Sequence, residues 1–274
     1  MKKIVFAVLT LTSILLLPGA HAETRRWTPS IGRPPQAGDE YTNPVDGSVL
    51  VFIPGGEFTM GNDSGEADEK PAHKVKVEGF WIGKYEVTNK QYMKFMESEG
   101  YPDPAFMDMP EFNHPSQPVV GIKFLHALEY MKWCDLRMPT EAEWEFVASG
   151  GKRLEYPTAT GKLDHTQANY LGREGPDTWM DAPAPVGSFP AGPFGIFDLA
   201  GNAWEWTSSA YMPYPYSARD GRENVTERRF RVMRGGSYHF GGRYLRTAQR
   251  HHFRMHLRLD FVGLRVAAST NQLR

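Results

Sequence analysis

The sequence contains a single cysteine, and this scarcity excludes one common source of stability. Cys134 is alone among 274 residues, so no disulfide can form within the chain. Small exported domains usually depend on several disulfides. A chain of this length can bury a sizeable apolar core instead. Its stability must therefore come from burial and from any metal that it binds.

Long apolar runs are also scarce. The main one covers residues 4–17, follows two lysines and is closed by small residues up to Ala22. This arrangement is typical of a signal peptide, and the run is shorter than a typical transmembrane helix. We therefore expect residues 1–22 to be a cleaved signal peptide. The mature protein should be periplasmic or secreted, with no membrane anchor after the signal is removed.

The sequence lacks a large excess of either charge, because its formal net charge is −1. Proteins that bind nucleic acid usually carry a strongly basic patch on a basic domain. A slightly acidic chain argues against general affinity for DNA or RNA. We therefore expect a protein, a peptide or a small anionic metabolite as the partner.

The arginines are nevertheless concentrated in one segment. Residues 228–265 contain ten arginines and one acidic residue, Asp260. Within this segment Arg246, Arg250 and Arg254 recur every four residues. Arginine binds carboxylate, sulfate or phosphate through its planar guanidinium, so these three are candidates for anion binding. The alternative is internal pairing with acidic residues elsewhere in the domain.

Short apolar runs and turn residues alternate along most of the chain. Residues 49–53 and 74–77 read as strands. Three helices are predicted: one capped at Thr88, one over about residues 123–135, and one that begins at Thr140. Residues 23–45 are polar and show no periodicity, so we expect a flexible N-terminal arm before a domain that covers 46–269. The pattern indicates a loop-rich α+β fold.

Five segments stand out as motifs, in the order Phe52–Gly61, Tyr85–Asn89, Arg137–Phe146, Phe194–Trp206 and Arg234–Tyr238. Together they resemble the motifs of the formylglycine-generating enzyme, or sulfatase-modifying factor, family. The resemblance implies a compact C-type-lectin-like fold with little regular secondary structure. The family also includes enzymes of the ergothioneine-synthase type and a periplasmic factor of pyoverdine maturation.

The resemblance also implies calcium. Calcium prefers several oxygen ligands on a flexible loop. A first site would use the side chains of Asp198 and Glu205 with the backbone oxygens of Gly201 and Ala203. A second site would use Asn169, the carbonyl of Tyr170, and Asp177. The alternative is that these side chains only cap turns.

Formylglycine-generating enzymes use two cysteines after the Gly-Gly-Ser motif, and this sequence departs from them there. Aligned from Ser237, the two positions are Phe240 and Leu245. Neither side chain ligates the copper that soft thiolates hold. We therefore expect no formylglycine synthesis. Trp204, Ser237 and His239 stay as candidates for lining the equivalent pocket.

A histidine pair lies further along. His252 and His256 have the spacing of metal ligands on one helical face, although no third ligand is evident and a surface cluster is the simpler interpretation.

Two functions follow. One is an exported oxidoreductase-like or accessory factor in maturation of a protein or metabolite, which would need iron or copper if it is catalytic. The other is a non-catalytic, calcium-stabilised binding module for an anionic ligand or a protein.

Overall fold

Local capping signals place the first helix. The computed structural model describes residues 25–172, 179, 181–227 and 230–273. Helix α1 covers Asn89–Glu99, and the side chain of Thr88 accepts a hydrogen bond from the backbone N–H of Gln91 while Gln91 reciprocates. Gly100 ends the helix in the left-handed region with φ 63°. The predicted start and end are both confirmed.

The other two helices also lie where the sequence predicts them. Helix α2 covers Phe124–Trp133 and helix α3 covers Glu141–Ala148. Thr140 and Glu143 form a second reciprocal cap at the start of α3. After α3, the part of the chain that the structure describes contains only short 3₁₀ turns, strands and loops.

Strands form two main sheets and a hairpin. One sheet has the order β1-β2-β3-β6-β11, a second has the order β10-β7-β8-β9, and β4 pairs with β5. The strands are β1 Arg25–Arg26, β2 Asp39–Thr42, β3 Val49–Ile53, β4 Gly56–Met60, β5 His73–Val77, β6 Phe80–Gly83, β7 Trp204–Ala210, β8 Phe230–Arg234, β9 His251–Arg254, β10 Val262–Leu264 and β11 Ala267–Ser269. The α+β expectation is confirmed, as are the strands predicted near residues 49–53 and 74–77.

The segment expected to be a flexible arm is part of the sheet from Arg25 onward. Strand β2 pairs with β3, so the sheet begins before residue 46. Trp27 is buried, and its ring lies 5.2 Å from that of Trp81. The buried carboxylate of Asp39 accepts two hydrogen bonds from Arg33. The arm prediction was wrong here because two buried side chains anchor a segment whose composition is polar.

The core lies on both sides of the first sheet. One apolar cluster contains Trp81, Tyr92, Phe124 and Trp206, while the other packs α3 against the β4–β5 hairpin around Phe146. The second sheet joins the first cluster through Trp206 on β7. Loops that connect these layers carry most of the residues predicted to be functional.

The histidine pair lies in a different geometry from the one its spacing suggests. His252 belongs to strand β9, and its ring stacks on Tyr211 at 3.8 Å. His256 follows the strand in a turn. A strand turns successive side chains to opposite faces, so the four-residue spacing no longer has its helical meaning. The interpretation of this pair as a metal site on one helical face is therefore excluded.

No helix within the described ranges is long and apolar enough to cross a membrane. Residues 1–22, which we expect to be a signal peptide, lie outside those ranges.

Candidate functional site

The two positions of the missing cysteines are occupied by packed apolar side chains. The ring of Phe240 lies 5.8 Å from Trp204, 5.1 Å from Tyr244 and 5.1 Å from Phe261. Leu245 is fully buried against the backbone of the Gly-Gly-Ser turn. An aromatic and aliphatic cluster therefore fills the place where thiolates would hold copper.

The three candidate pocket residues differ in their exposure to solvent. Trp204 and Ser237 are both fully buried. His239 is exposed, and its ring lies parallel to that of Phe261 at 6.1 Å. These positions were predicted as a pocket lining, and the ring of Phe240 packs beside two of them, 5.8 Å from that of Trp204 and 6.0 Å from that of His239. The structure assigns Trp204 and Ser237 to the core.

Cys134 does not replace the missing thiolates. It lies at the end of α2 in the apolar core, with its thiol donating to the carbonyl of Met131 at 3.6 Å. Burial raises the pKa of the Cys134 thiol well above its usual range. A protonated, enclosed thiol is neither a nucleophile nor a metal ligand.

A buried ion pair occupies one of the predicted calcium ligands. Glu205 on β7 accepts hydrogen bonds from Arg265 Nη2 at 2.5 Å and from Arg265 Nε at 3.0 Å to each oxygen. Trp144 Nε1 donates to Glu205 Oε2 at 2.8 Å. Both oxygens are therefore already satisfied by protein donors.

Two further buried carboxylates lie near this pair. Asp198 accepts from the backbone N–H of Gly187 at 2.7 Å, and Glu86 accepts from Asn202 Nδ2 at 2.6 Å. Burial raises the pKa of Asp198 to about 6. The pKa of Glu86 is raised well above its usual range by burial and then by the charges of Asp198 and Glu205. Three carboxylates thus share a single arginine, Arg265.

The second predicted calcium loop lies beside the first. Asn169 forms an isolated bridge with Gly201, whose φ of 78° and close approach to the Asn169 carbonyl admit only glycine. The side-chain Oδ1 of Asn169 is buried and has no hydrogen-bond partner in the part of the chain that the structure describes. Tyr170 stacks on His165 at 4.1 Å. Asp177 lies outside the described residues.

The donor set fits calcium in part. Excess negative charge around Asp198 and the unpartnered oxygen of Asn169 suit a hard divalent cation. Glu205 fits less well, since Arg265 and Trp144 already hold its oxygens. Side chains alone do not form the site, because the described chain contains no group of three histidine, cysteine or acidic residues placed to hold a metal. Backbone oxygens of Gly201 and Ala203 would have to complete it.

Most of the anion-binding candidates are paired within the protein. Arg246 donates to both oxygens of Glu69 at 2.5 and 2.9 Å. Arg250 is fully buried and donates to both oxygens of Glu141 at 2.6 and 3.0 Å. Internal pairing with distant acidic residues, one of our two alternatives, therefore holds for these two arginines. Only Arg254 of the three is exposed, above the ring of Phe230.

The acidic partners are the residues that sequence reasoning missed. Glu141 and Glu145 lie one turn apart on α3, and both are buried. Glu145 pairs with Arg234, and its other oxygen accepts from the backbone N–H of Gly61. Two acidic residues four positions apart, in a helix whose only other polar side chain is the capping residue Glu143, were the one available signal.

The fold and the five motifs together define a class of protein: a loop-rich α+β scaffold of the formylglycine-generating enzyme type, without the cysteine pair at positions 240 and 245. The chain belongs to the family of the sulfatase-modifying factor enzyme 1-like domain, which matches residues 36–270. The domain predicted over 46–269 thus lies within the match, which starts ten residues earlier.

Three comparisons illustrate this membership. The chain is 33% identical over 224 residues to serine/threonine-protein kinase pkn1 of Chlamydia caviae, which covers 74% of this chain but 35% of the kinase. It is 31% identical to hercynine oxygenase of Mycolicibacterium smegmatis, covering 79% of this chain and 60% of the oxygenase. PvdO from Pseudomonas aeruginosa has a TM-score of 0.74 at 26% identity, covering 86% of this chain and 99% of PvdO. The chain thus spans about a third of the kinase but almost all of PvdO.

Proposed function

We propose that this protein is an exported accessory factor in the maturation of a protein or metabolite, oxidoreductase-like in descent, and not a formylglycine synthase. The observation that carries the proposal is the replacement of both thiolate positions by Phe240 and Leu245, packed among aromatic rings. A site with no soft ligand cannot hold Cu(I) in the family's way. The match along nearly the whole of PvdO supports a role of the same kind as that protein's.

Co-expression with a sulfatase substrate tests the negative half of the proposal. Mass analysis of the target cysteine should show no conversion to formylglycine, while a co-expressed authentic enzyme converts it. Conversion by this chain would overturn the proposal. A Phe240→Cys and Leu245→Cys double variant provides a second comparison, because it restores the ligand type without changing the rest of the scaffold.

A second candidate is a binding module stabilised by calcium. The specific observation that favours it is the excess of buried negative charge, in which Glu86, Asp198 and Glu205 share Arg265. In this proposal Asp198 and the carbonyls of Gly201 and Ala203 hold calcium at the first predicted site, and Asn169 contributes to the second. The bound ion would offset the repulsion between the carboxylates and stiffen the two adjacent loops.

Calcium titration with thermal melting tests this second candidate. Calcium should raise the melting temperature of the wild type, and Asp198→Asn should remove most of the rise while keeping the acceptor for Gly187. Glu205→Gln is a poor test, because it also breaks the buried pair with Arg265. No calcium-dependent shift at millimolar calcium would refute the idea. Metal analysis of the purified protein separates the two candidates: a stoichiometric redox metal supports an enzyme, and calcium alone supports a binding module.

A further inference from the structure

The structure contains a polar cavity whose wall includes neither of the two replaced thiolate positions. Its volume is about 210 Å³. It is formed by the end of β4, by the loop that follows α3, and by residues 246–248 before β9. Trp204, Ser237, Phe240 and Leu245 are not part of its wall. The cavity is therefore a different place from the family's reaction site.

Two cations without acidic partners line this cavity. Lys152 and Arg153 are exposed, and neither forms an ion pair with any residue that the structure describes. Glu155, also in the wall, is likewise without an ion-pair partner in those parts of the chain. The carboxylate of Glu145 reaches the cavity but is held by Arg234. The unpaired charges in the wall therefore sum to one positive charge.

Arg246 contributes a hydrogen-bond donor to the wall, and other residues hold its guanidinium in place. Its Nη1 and Nη2 donate to Glu69, and Nη2 also donates to Gln249 at 2.8 Å. Its Nε donates to the carbonyl of Arg243 at 3.1 Å. A guanidinium carries five N–H groups, so one on Nη1 is left for a ligand. Glu69 thus orients Arg246 and takes up most of its charge without using all of its donors.

Neutral donors complete the inner wall. Thr247 is 5% exposed, and its buried hydroxyl has no hydrogen-bond partner among the described residues. A buried hydroxyl without a partner is costly, so it points to a group that is supplied from outside the chain. The side-chain amide nitrogen of Asn62 is a further donor, since the structure shows only its oxygen in use. The wall is rich in donors and poor in free acceptors.

The end of α3 does not oppose an anion as strongly as a bare helix terminus would. Three of its last four carbonyls, at residues 145–147, accept hydrogen bonds from the backbone N–H groups of Ser149, Gly150 and Gly151. Satisfied carbonyls present less negative charge to a neighbouring ligand. The positive side chains that follow the helix therefore dominate this entrance.

We propose that this cavity binds a small dianion, a dicarboxylate or a phosphate monoester. Lys152 and Arg153 attract it at the entrance, and Arg246 Nη1, Thr247 and Asn62 donate to it inside. The volume lies below the roughly 300–1,000 Å³ of sites for drug-sized ligands, so the ligand is a small metabolite. The site is independent of the maturation role proposed above and stands without it.

Calorimetric titration of the full chain with inorganic phosphate and with succinate tests the proposal and distinguishes the two sources of charge. At least one of them should bind saturably, with one ion per chain. The double variant Lys152→Ala, Arg153→Ala should lose about tenfold or more in affinity, as expected for two charge-assisted contacts. The control variant Lys90→Ala, Arg219→Ala removes the same charges from exposed positions elsewhere and should stay within about twofold.

Two single variants distinguish a specific loss of anion binding from a loss caused by misfolding. Glu155→Gln removes the one unpaired negative charge from the wall and should strengthen binding, a gain that damage to the fold does not produce. Thr247→Val keeps the side chain's shape and should weaken binding by removing the inner hydroxyl. Absence of saturable binding of both anions up to about 10 mM overturns the proposal. Equal losses in the test and control double variants overturn it as well.

Discussion

Replacing Glu141 with glutamine tests whether the arginine-rich segment is built into the core. Glu141 is fully buried, and both of its oxygens accept hydrogen bonds from Arg250. The hydroxyl of Tyr214 also donates to Glu141 at 3.2 Å. Glutamine keeps the size of the side chain but removes the charge. The variant therefore leaves the Arg250 guanidinium in a buried position without its anion.

The structure sets the size of the effect. Removing one partner of a buried ion pair costs about 3–5 kcal/mol, mostly because the remaining charge is left uncompensated. Arg250 keeps hydrogen bonds to the carbonyls of Asp68 and Met212, and it stays 3.9 Å from the centre of the Tyr214 ring. These contacts favour the lower end of the range, about 3 kcal/mol. At 2–4 °C per kcal/mol for a domain of this size, the melting temperature should fall by about 6–12 °C.

Thermal and urea melts followed by circular dichroism measure this change. Glu57→Gln is the matched control, because Glu57 pairs with Lys74 on the surface, and both side chains are more than 60% exposed. That variant should change the free energy of unfolding by less than about 0.5 kcal/mol. The double variant Glu141→Gln, Arg250→Gln should lose less than the sum of its two single variants. If Glu141→Gln were as harmless as Glu57→Gln, Arg250 would not depend on Glu141 for its charge balance.

Three further predictions concern single residues. Thr88→Ala removes the cap of α1 and should cost about 1 kcal/mol in urea melts, whereas a loss no larger than that of an exposed serine-to-alanine variant would show that the cap adds nothing. Cys134 should react with a thiol reagent only as fast as the protein opens, because burial raises its pKa and encloses it; rapid labelling of the folded protein would contradict this. Burial lowers the pKa of His73 below 6.5, and the Nε2 of the neutral ring accepts a hydrogen bond from the backbone N–H of Tyr216. The stability that neutral His73 contributes is therefore fully present above pH 6.5 and is lost as the pH falls below that value. His73→Gln should therefore flatten the acid side of a plot of melting temperature against pH, and an unchanged slope would refute this.

Local signals in the sequence were sufficient for the helices and several strands. The reciprocal caps at Thr88 and Thr140 involve residues three positions apart, so the sequence contains each interaction complete. The strand at Val49–Ile53 is a short β-branched and apolar run that stops at a proline. Such features do not depend on the rest of the fold.

The long-range partners of the arginines could not be predicted from local sequence signals. Arg246 and Glu69 are 177 positions apart, and Arg250 and Glu141 are 109 apart. Nothing in the local pattern tells a paired arginine from a free one, because only the folded chain brings the carboxylate to it. The prediction of a flexible N-terminal segment was wrong for the same reason. The ordered structure of this segment depends on the packing of Trp27 against Trp81.

The five motifs that carry the family resemblance supply much of this buried polar framework. Glu141 and Glu145 lie in one motif, Glu205 in another, and Arg234 begins the last. Even Gly61, at the end of the first motif, donates its backbone N–H to Glu145. These residues hold the layers together through pairs that are costly to break singly, so a chain that keeps the scaffold must keep them as sets. The motifs therefore identify the scaffold and say little about the chemistry. The reaction depends on positions outside them: Phe240, two residues after the last motif, stands where the resemblance implies a metal ligand, and it disturbs none of these pairs.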